Sequence, residues 1–166
     1  MRISVTPLPT PKMVSMDKLE RAMTAALKRT NKQMEKEFKK TTRTWKRKPE
    51  MYSTAPTQTP EGLESATGTD NQVYEYVAKG TRPHTIRARR APMLRFQPGF
   101  AAKTIPGLIG SVAGRKFGPF VRVKEVRHPG TKAREFDKRI AAKSEETLAL
   151  ETRVAIMKVV EQTYGR

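Results

Sequence analysis

His84 and His128 are the only imidazoles in a chain of 166 residues that has no cysteine. Protein zinc sites combine thiolate, imidazole and carboxylate ligands, so two histidines without cysteine fall short of most of them. Each histidine is therefore read as structural. The carboxylates are placed no better for chemistry. Residues 76–124 contain not one Asp or Glu, so this stretch supplies neither oxygen ligands for Mg²⁺ nor a carboxylate acid/base pair. The sequence GSVAGRK at 110–116 has the outline of a phosphate loop. Its second glycine comes one residue early and Arg-Lys replaces Lys-Ser/Thr, so nucleotide binding is rejected. Ser and Thr are plentiful, yet none lies in a nucleophile-elbow sequence. No catalytic, metal or cofactor-binding residue is assigned, and the chain is read as a non-enzyme.

What the chain has in excess is positive charge. Lys and Arg total 34 against 16 Asp and Glu, a net +18, which draws the molecule toward polyanions or acidic protein surfaces. Hydrophobic residues make up 36% and charged residues 30%. That balance is lean for a free-standing globule and predicts a small core, with flexible segments or surface completed by partner subunits. The length suits a single domain over 1–166. The absence of cysteine suits a reducing compartment. The opening MRISVTPLPTPK lacks the apolar core of a signal peptide, and no run approaches the roughly 20 apolar residues of a membrane span. A soluble protein with no membrane contact is expected.

Periodicity gives the elements that would position these charges. An N-terminal arm over 1–14 begins with a short strand and continues through Pro7, Pro9 and Pro11, each of which removes a backbone donor. A helix over about 16–40, capped by Ser15, places Leu19, Met23, Leu27, Thr30, Met34, Phe38 and Thr41 on one face. Lys28, Arg29, Lys32, Lys36, Lys39 and Lys40 occupy the other, and Lys32, Lys36 and Lys39 are candidate subunit-interface residues that would meet acidic neighbours. An irregular strand burying Trp45 follows, then a long flexible loop over 53–71 with a weak strand near Leu63. Val73, Tyr74, Tyr76 and Val77 read as a strand from their β-branched and aromatic side chains, with Met93, Leu94 and Phe96 as its meander partner.

Residues 97–119 read as a second long flexible loop. Its five glycines and three prolines oppose a stable helix or strand, yet Phe100, Ile105, Leu108, Ile109 and Val112 would be costly to leave in water. These five are candidate interface residues that order against neighbouring subunits, with an intramolecular flap as the alternative. Lys103, Arg115 and Lys116 are candidate channel or DNA-facing residues. The alternation over 120–128 is imperfect. Pro129 and Gly130 suit the middle of a type II turn, and Thr131 the cap of a last helix. The stripe of that helix runs through Phe136, Ile140, Ser144, Leu148, Ala155, Ile156, Val159 and Val160. Leu19, Met23, Leu27, Met34, Phe38, Trp45, Tyr74, Phe136, Ile140 and Leu148 are expected to share one core.

Two phrases, VAKGTRPHTIRARRAPMLRF at 77–96 and VRHPGTKAREF at 126–136, together with the order of elements resemble the minor tail or neck proteins of long-tailed bacteriophages. This is the tail-completion or head-tail joining family, and the resemblance runs over roughly 3–164. In that family an N-terminal helix leads into a Trp-containing strand, a Tyr-rich strand ends in Gly-Thr, and a His-Pro-Gly turn introduces the last helix. The resemblance implies an α+β fold in which a small antiparallel β-sheet is packed by a long N-terminal helix and a C-terminal helix, with long loops. It implies no catalytic residue and no cofactor.

The same resemblance implies a structural virion protein, one subunit of a ring in the head-tail connector, with six copies expected and twelve the alternative. The implied partners are a head-completion or portal-adaptor protein on one side and a tail-terminator or tail-tube protein on the other, with nonspecific contact to packaged DNA. The implied location is the virion neck, after assembly in the host cytoplasm. Segments 53–71 and 97–119 depart from the minimal family pattern. On the residues alone two other classes stay open: a nucleic-acid-binding module, which the charge would suit, and a small basic metal-independent ribonuclease using Arg, Lys, Tyr and His.

Overall fold

The computed structural model describes residues 13–98, 102, 104–107 and 118–165. Two long helices, α1 (Met16–Thr41) and α3 (Phe136–Tyr164), pack against each other. Arg29 meets Glu151 at 2.7 Å and Glu37 meets Lys143 at 3.2 Å. Eight residues forward along α1 match eight back along α3, so the pair is antiparallel. Ser15 adopts the extended backbone of an N-cap and its carbonyl accepts from Leu19 N–H at 3.1 Å, although its hydroxyl makes no capping bond.

Between the helices in sequence lie small antiparallel pairings, and the fold is α+β. β1 (Tyr52–Ser53) pairs with β4 (Thr67–Gly68), while β2 (Thr57–Thr59) and β3 (Gly62–Glu64) form a hairpin between them. The stretch expected to be a long flexible loop over 53–71 is thus built of short strands, and side chains dock it on α1. Asn31 Nδ2 donates to Ser65 Oγ at 2.8 Å, and Ser53 Oγ donates to the Glu35 carboxylate at 2.8 Å. Residues 42–51 form turns and coil rather than the irregular strand expected around Trp45, which is half-buried.

The main correction concerns the expected Tyr-rich strand. Gln72–Lys79 is a helix, α2. The Asn71 side chain accepts from Tyr74 N–H at 3.0 Å and so satisfies one of the free donors of the first turn. Lys79 donates to Glu75 at 2.7 Å one turn apart. Tyr74 and Ala78 share the buried face, while Val73 and Tyr76 stay exposed. Capping and burial at a four-residue spacing outweigh the strand preference of Val and Tyr, which spans only about 1 kcal/mol.

α2 supplies the centre of the core. The Tyr74 ring lies 6.2 Å from Phe38, 6.3 Å from Trp45 and 5.6 Å from Phe136, tying α1, α2 and α3 together. Met51, Ala78 and Ile140 complete the buried cluster, with Met34, Trp45 and Val77 packed at its edge. Of the ten residues expected to share one core, Leu19, Met23, Leu27 and Leu148 are only half-buried and lie outside this cluster. The small size foreseen from composition holds. Burial pushes the Tyr74 phenol up to about 12, partly offset by the hydrogen bond from Thr41.

Glu37 is buried on the α1–α3 seam, where Lys40 Nζ at 2.7 Å and Lys143 Nζ at 3.2 Å share its carboxylate. The Lys40 hydrogen bond lowers its pKa from the ordinary 4.5, and burial, which alone would raise it, does not prevail. Because the folded value is depressed, the stability contributed by Glu37 is fully present above the unfolded value and is lost as pH falls through the folded one. Glu37→Gln should therefore cost about 1–2 kcal/mol near neutral pH and flatten the loss of stability on acidification. Parallel pH profiles of unfolding free energy for the two proteins would show that this pairing adds nothing.

A second unit projects from the helices. β5 (His84–Arg87) pairs with β8 (Glu125–His128), and β6 (Leu94–Phe96) pairs with β7 (Val121–Val123), all antiparallel. β5 leads to β6 through 88–93, and β7 leads to β8 through Lys124 alone, so the pairings form one interrupted ribbon rather than a meander. The connections are unequal, six residues against one, with Ala88 N–H donating to Lys124 O at 3.3 Å. Lys124, standing between the two pairings, breaks the alternation of this segment. Val121, Val123, Val126 and His128 are half-buried, while Lys124 and Glu125 are exposed in succession, where the period slips by one.

At the base of the ribbon the two phrases that carry the family resemblance meet. Thr81 and Thr131 exchange backbone hydrogen bonds of 2.9 and 3.1 Å. Thr131, expected to cap the last helix, is held in this bridge instead. α3 starts five residues later, after Glu135 in a left-handed conformation at φ 51°. Gly130 at φ 88° fits the turn expected of Pro129-Gly130.

Candidate functional site

The histidines face each other across the ribbon as partners in register, with ring centroids 5.1 Å apart. His84 Nδ1 lies 2.8 Å from Arg82 O and donates to it, whereas His128 Nδ1 accepts from Gly130 N–H at 3.1 Å. Each ring bonds a backbone group two residues away, His128 across the Pro129-Gly130 turn and His84 back to Arg82, just before its own strand. Among the described residues no group of three or more His, Asp or Glu stands close enough to hold a metal ion. No helix there is long and apolar enough to cross a membrane.

Two open depressions, of about 470 and 460 Å³, mark the surface. The first lies along the outer side of α1 over Asp17, Glu20, Arg21 and Lys28. The second lies between Leu27, Leu63 and Leu148 beside the β2–β3 hairpin. Both are open to solvent rather than enclosed.

The basic face of α1 is exposed at Lys32, Lys36 and Lys39, three candidates that the helix brings together. Its charge is partly engaged within the chain, since Lys39 meets Glu35 at 3.3 Å and Arg29 meets Glu151. Hydrogen bonding from Ser53 lowers the pKa of Glu35 despite some burial, with Lys39 and Lys32 adding to the effect. Of the apolar candidates in the second loop, Ile105 is exposed at 45%. Its neighbours lie against this same chain: Arg139 donates to Gly107 O at 2.6 Å, and buried Thr104 sits 3.5 Å from Arg134 Nε. These contacts are to residues around the start of α3 and not to the strands over which a flap was expected to fold. Phe100, Leu108, Ile109, Val112, Lys103, Arg115 and Lys116 lie outside the described residues.

Sequence reasoning missed the most extended apolar surface. Over its second half α3 buries Ala155 and Val159 toward α1, while Ile156 and Val160, assigned to the same stripe, are exposed at 38% and 40%. Leu150 at 63%, Val154 at 39%, Met157 at 60% and Tyr164 at 54% are exposed as well. The spacings of four, seven and fourteen from Leu150 put these four on one side of the helix, well away from the buried stripe. The signal was present in the sequence as a second apolar period superimposed on the first.

The sequence pattern also does not reveal the ribbon as a site, since its cations belong to two distant segments. Arg87, Arg89, Arg90, Arg95, Arg122, Lys124 and Arg127 are all exposed on it. Glu125 is the one carboxylate of the segment and meets Arg87 at 3.0 Å. The Arg95 guanidinium lies over one face of the Phe120 ring at 4.3 Å, a cation–π contact that leaves Phe120 56% exposed. Comparison of the chain with protein-family models, with curated protein sequences and with solved structures returned no match in any of the three.

Proposed function

We propose that the chain is a non-catalytic structural subunit of the head-tail connector of a long-tailed bacteriophage, one copy of a ring that joins head-completion components to the tail. The observation that carries this reading is the imbalance of apolar surface. Among the described residues nine hydrophobic side chains are buried, against fifteen large ones left exposed. Scattered exposed leucines are ordinary, but a stripe of Leu150, Val154, Met157 and Tyr164 along one helix marks a surface that association would cover. A ring needs such a heterologous surface on every copy. The paired KGTRPH and HPGT phrases at the ribbon base add the likeness to neck proteins on which the location rests.

The test is a Leu150→Glu/Met157→Glu variant, whose substitutions fall on exposed positions and should leave the α1–α3 pair folded. Native mass spectrometry of the wild-type chain is expected to show a closed ring of six copies, or of twelve, and the variant to remain a monomer. Particles assembled with the variant should accumulate as filled heads and separate tails. Joined infectious particles at the wild-type yield would sink the proposal. The exposed cations of the ribbon favour a second reading, a nucleic-acid-binding module, and the two are compatible in one molecule.

A further inference from the structure

We infer that the β5–β8/β6–β7 ribbon is a binding surface for duplex DNA, engaged through the phosphate backbone without regard to base sequence. Residues 84–96 and 120–128 carry seven cations and one carboxylate. Six of the seven are Arg, whose planar fork matches phosphate oxygens in pairs. Ordinary surfaces intersperse the two signs, whereas among the described residues the one ion pair made by these seven cations is Arg87–Glu125.

Shape and composition narrow the polyanion. The seven paired residues on each side of the ribbon span about 23 Å, a large part of one turn of a DNA duplex, and a two-stranded ribbon is narrow enough to enter a major groove about 12 Å wide. Single-strand binding would call for a row of free aromatic faces on which successive bases stack, whereas Phe120 is the one exposed phenyl ring of the ribbon and Arg95 lies over one of its faces. An acidic protein partner would be met by a surface with an apolar centre and a charged rim. Here the cations run the length of the exposed side, and Ile86, only 37% exposed, is the one aliphatic residue on the paired strands that is not half-buried. None of these cations belongs to the basic face of α1.

The experiment measures fluorescence anisotropy of a labelled duplex of about one to three turns with the full chain across about 50–200 mM salt. Two variants remove equal charge: Arg89→Gln/Arg90→Gln/Arg122→Gln on the ribbon and Lys32→Gln/Lys36→Gln/Lys39→Gln on α1. Arg87 and Arg95 are left alone because they pair with Glu125 and Phe120. The ribbon variant should lose about tenfold or more in affinity, and its slope of log affinity against log salt should become shallower by about 3. The α1 variant should change little in either. Equal losses in the two would mean that net charge alone attracts DNA, and an unchanged ribbon variant would exclude the ribbon. Either result overturns the inference, as would tighter ribbon-dependent binding to polyglutamate than to the duplex. Thermal unfolding of both variants at the wild-type temperature establishes that the readout concerns binding. Ring assembly is scored separately, so failure of this inference leaves the ring reading standing.

Discussion

Phe136→Ala is expected to destabilise the protein by about 3–5 kcal/mol, because the side chain is fully buried and its removal leaves a cavity that its neighbours can only partly fill. Phe136 is the first residue of α3 and stacks on Tyr74 of α2 at 5.6 Å. Tyr74 in turn meets Phe38 of α1, so one truncation loosens all three helices at their common point. With so few buried apolar residues, little other core remains to absorb the loss. For a chain of this length the melting temperature should fall by roughly 2–4 °C per kcal/mol. Val160→Ala, at an exposed position on the same helix, is the comparison and should shift stability far less. Similar melting temperatures for the two variants would show that the aromatic cluster is not the centre of the fold.

The legible part of this architecture is the part encoded by local period. Leu19, Met23, Met34 and Phe38 announce α1 because a helix repeats every 3.6 residues, and the observed Met16–Thr41 lies within one residue of the expected 16–40. Phe136 and Ile140 announce α3 in the same way. α2 was hidden because Val73, Tyr74, Tyr76 and Val77 favour strands in isolation, and the deciding facts are the Asn71 cap and a core waiting for Tyr74 and Ala78. The pairing of β5 with β8 joins Arg87 to Glu125 across 38 positions. No short-range pattern specifies that register, so the ribbon could not be read from the residues one stretch at a time.

The candidate surfaces divide along the same line. Lys32, Lys36 and Lys39 share a face because they share a helix, and their exposure follows from sequence alone. The α3 stripe was masked because two apolar periods overlap: Ile156 and Val160 can be joined by eye to Ala155 and Val159, yet they project into solvent. The cations of the ribbon belong to two segments separated by the Gly- and Pro-rich stretch, and only pairing turns them into one surface. A charge count gives the sign of the partner, whereas the topology gives the side of the molecule that meets it.

Gly130→Ala is expected to open the base of the ribbon, since a Cβ there would collide with the backbone oxygen of Thr81 and would have to adopt φ 88°. The left-handed backbone alone costs a non-glycine residue about 1–2 kcal/mol. Displacing Thr81 also threatens the paired Thr81–Thr131 hydrogen bonds, each worth about 0.5–1.5 kcal/mol. A total near 3 kcal/mol follows, expressed mainly as local opening if the aromatic core holds. Gly80→Ala should act on the same bridge from the other strand, where its Cβ would stand 2.6 Å from Thr131 O and 2.8 Å from Ala133 N. Because both substitutions break one contact, the double variant should lose less than the sum of the singles. Hydrogen exchange at the amides of Thr81 and Thr131 is the direct readout, with faster exchange expected in each single variant. Unchanged protection there, together with additive losses in stability, would show that the two glycines serve separate turns and that the paired phrases do not form one structural unit.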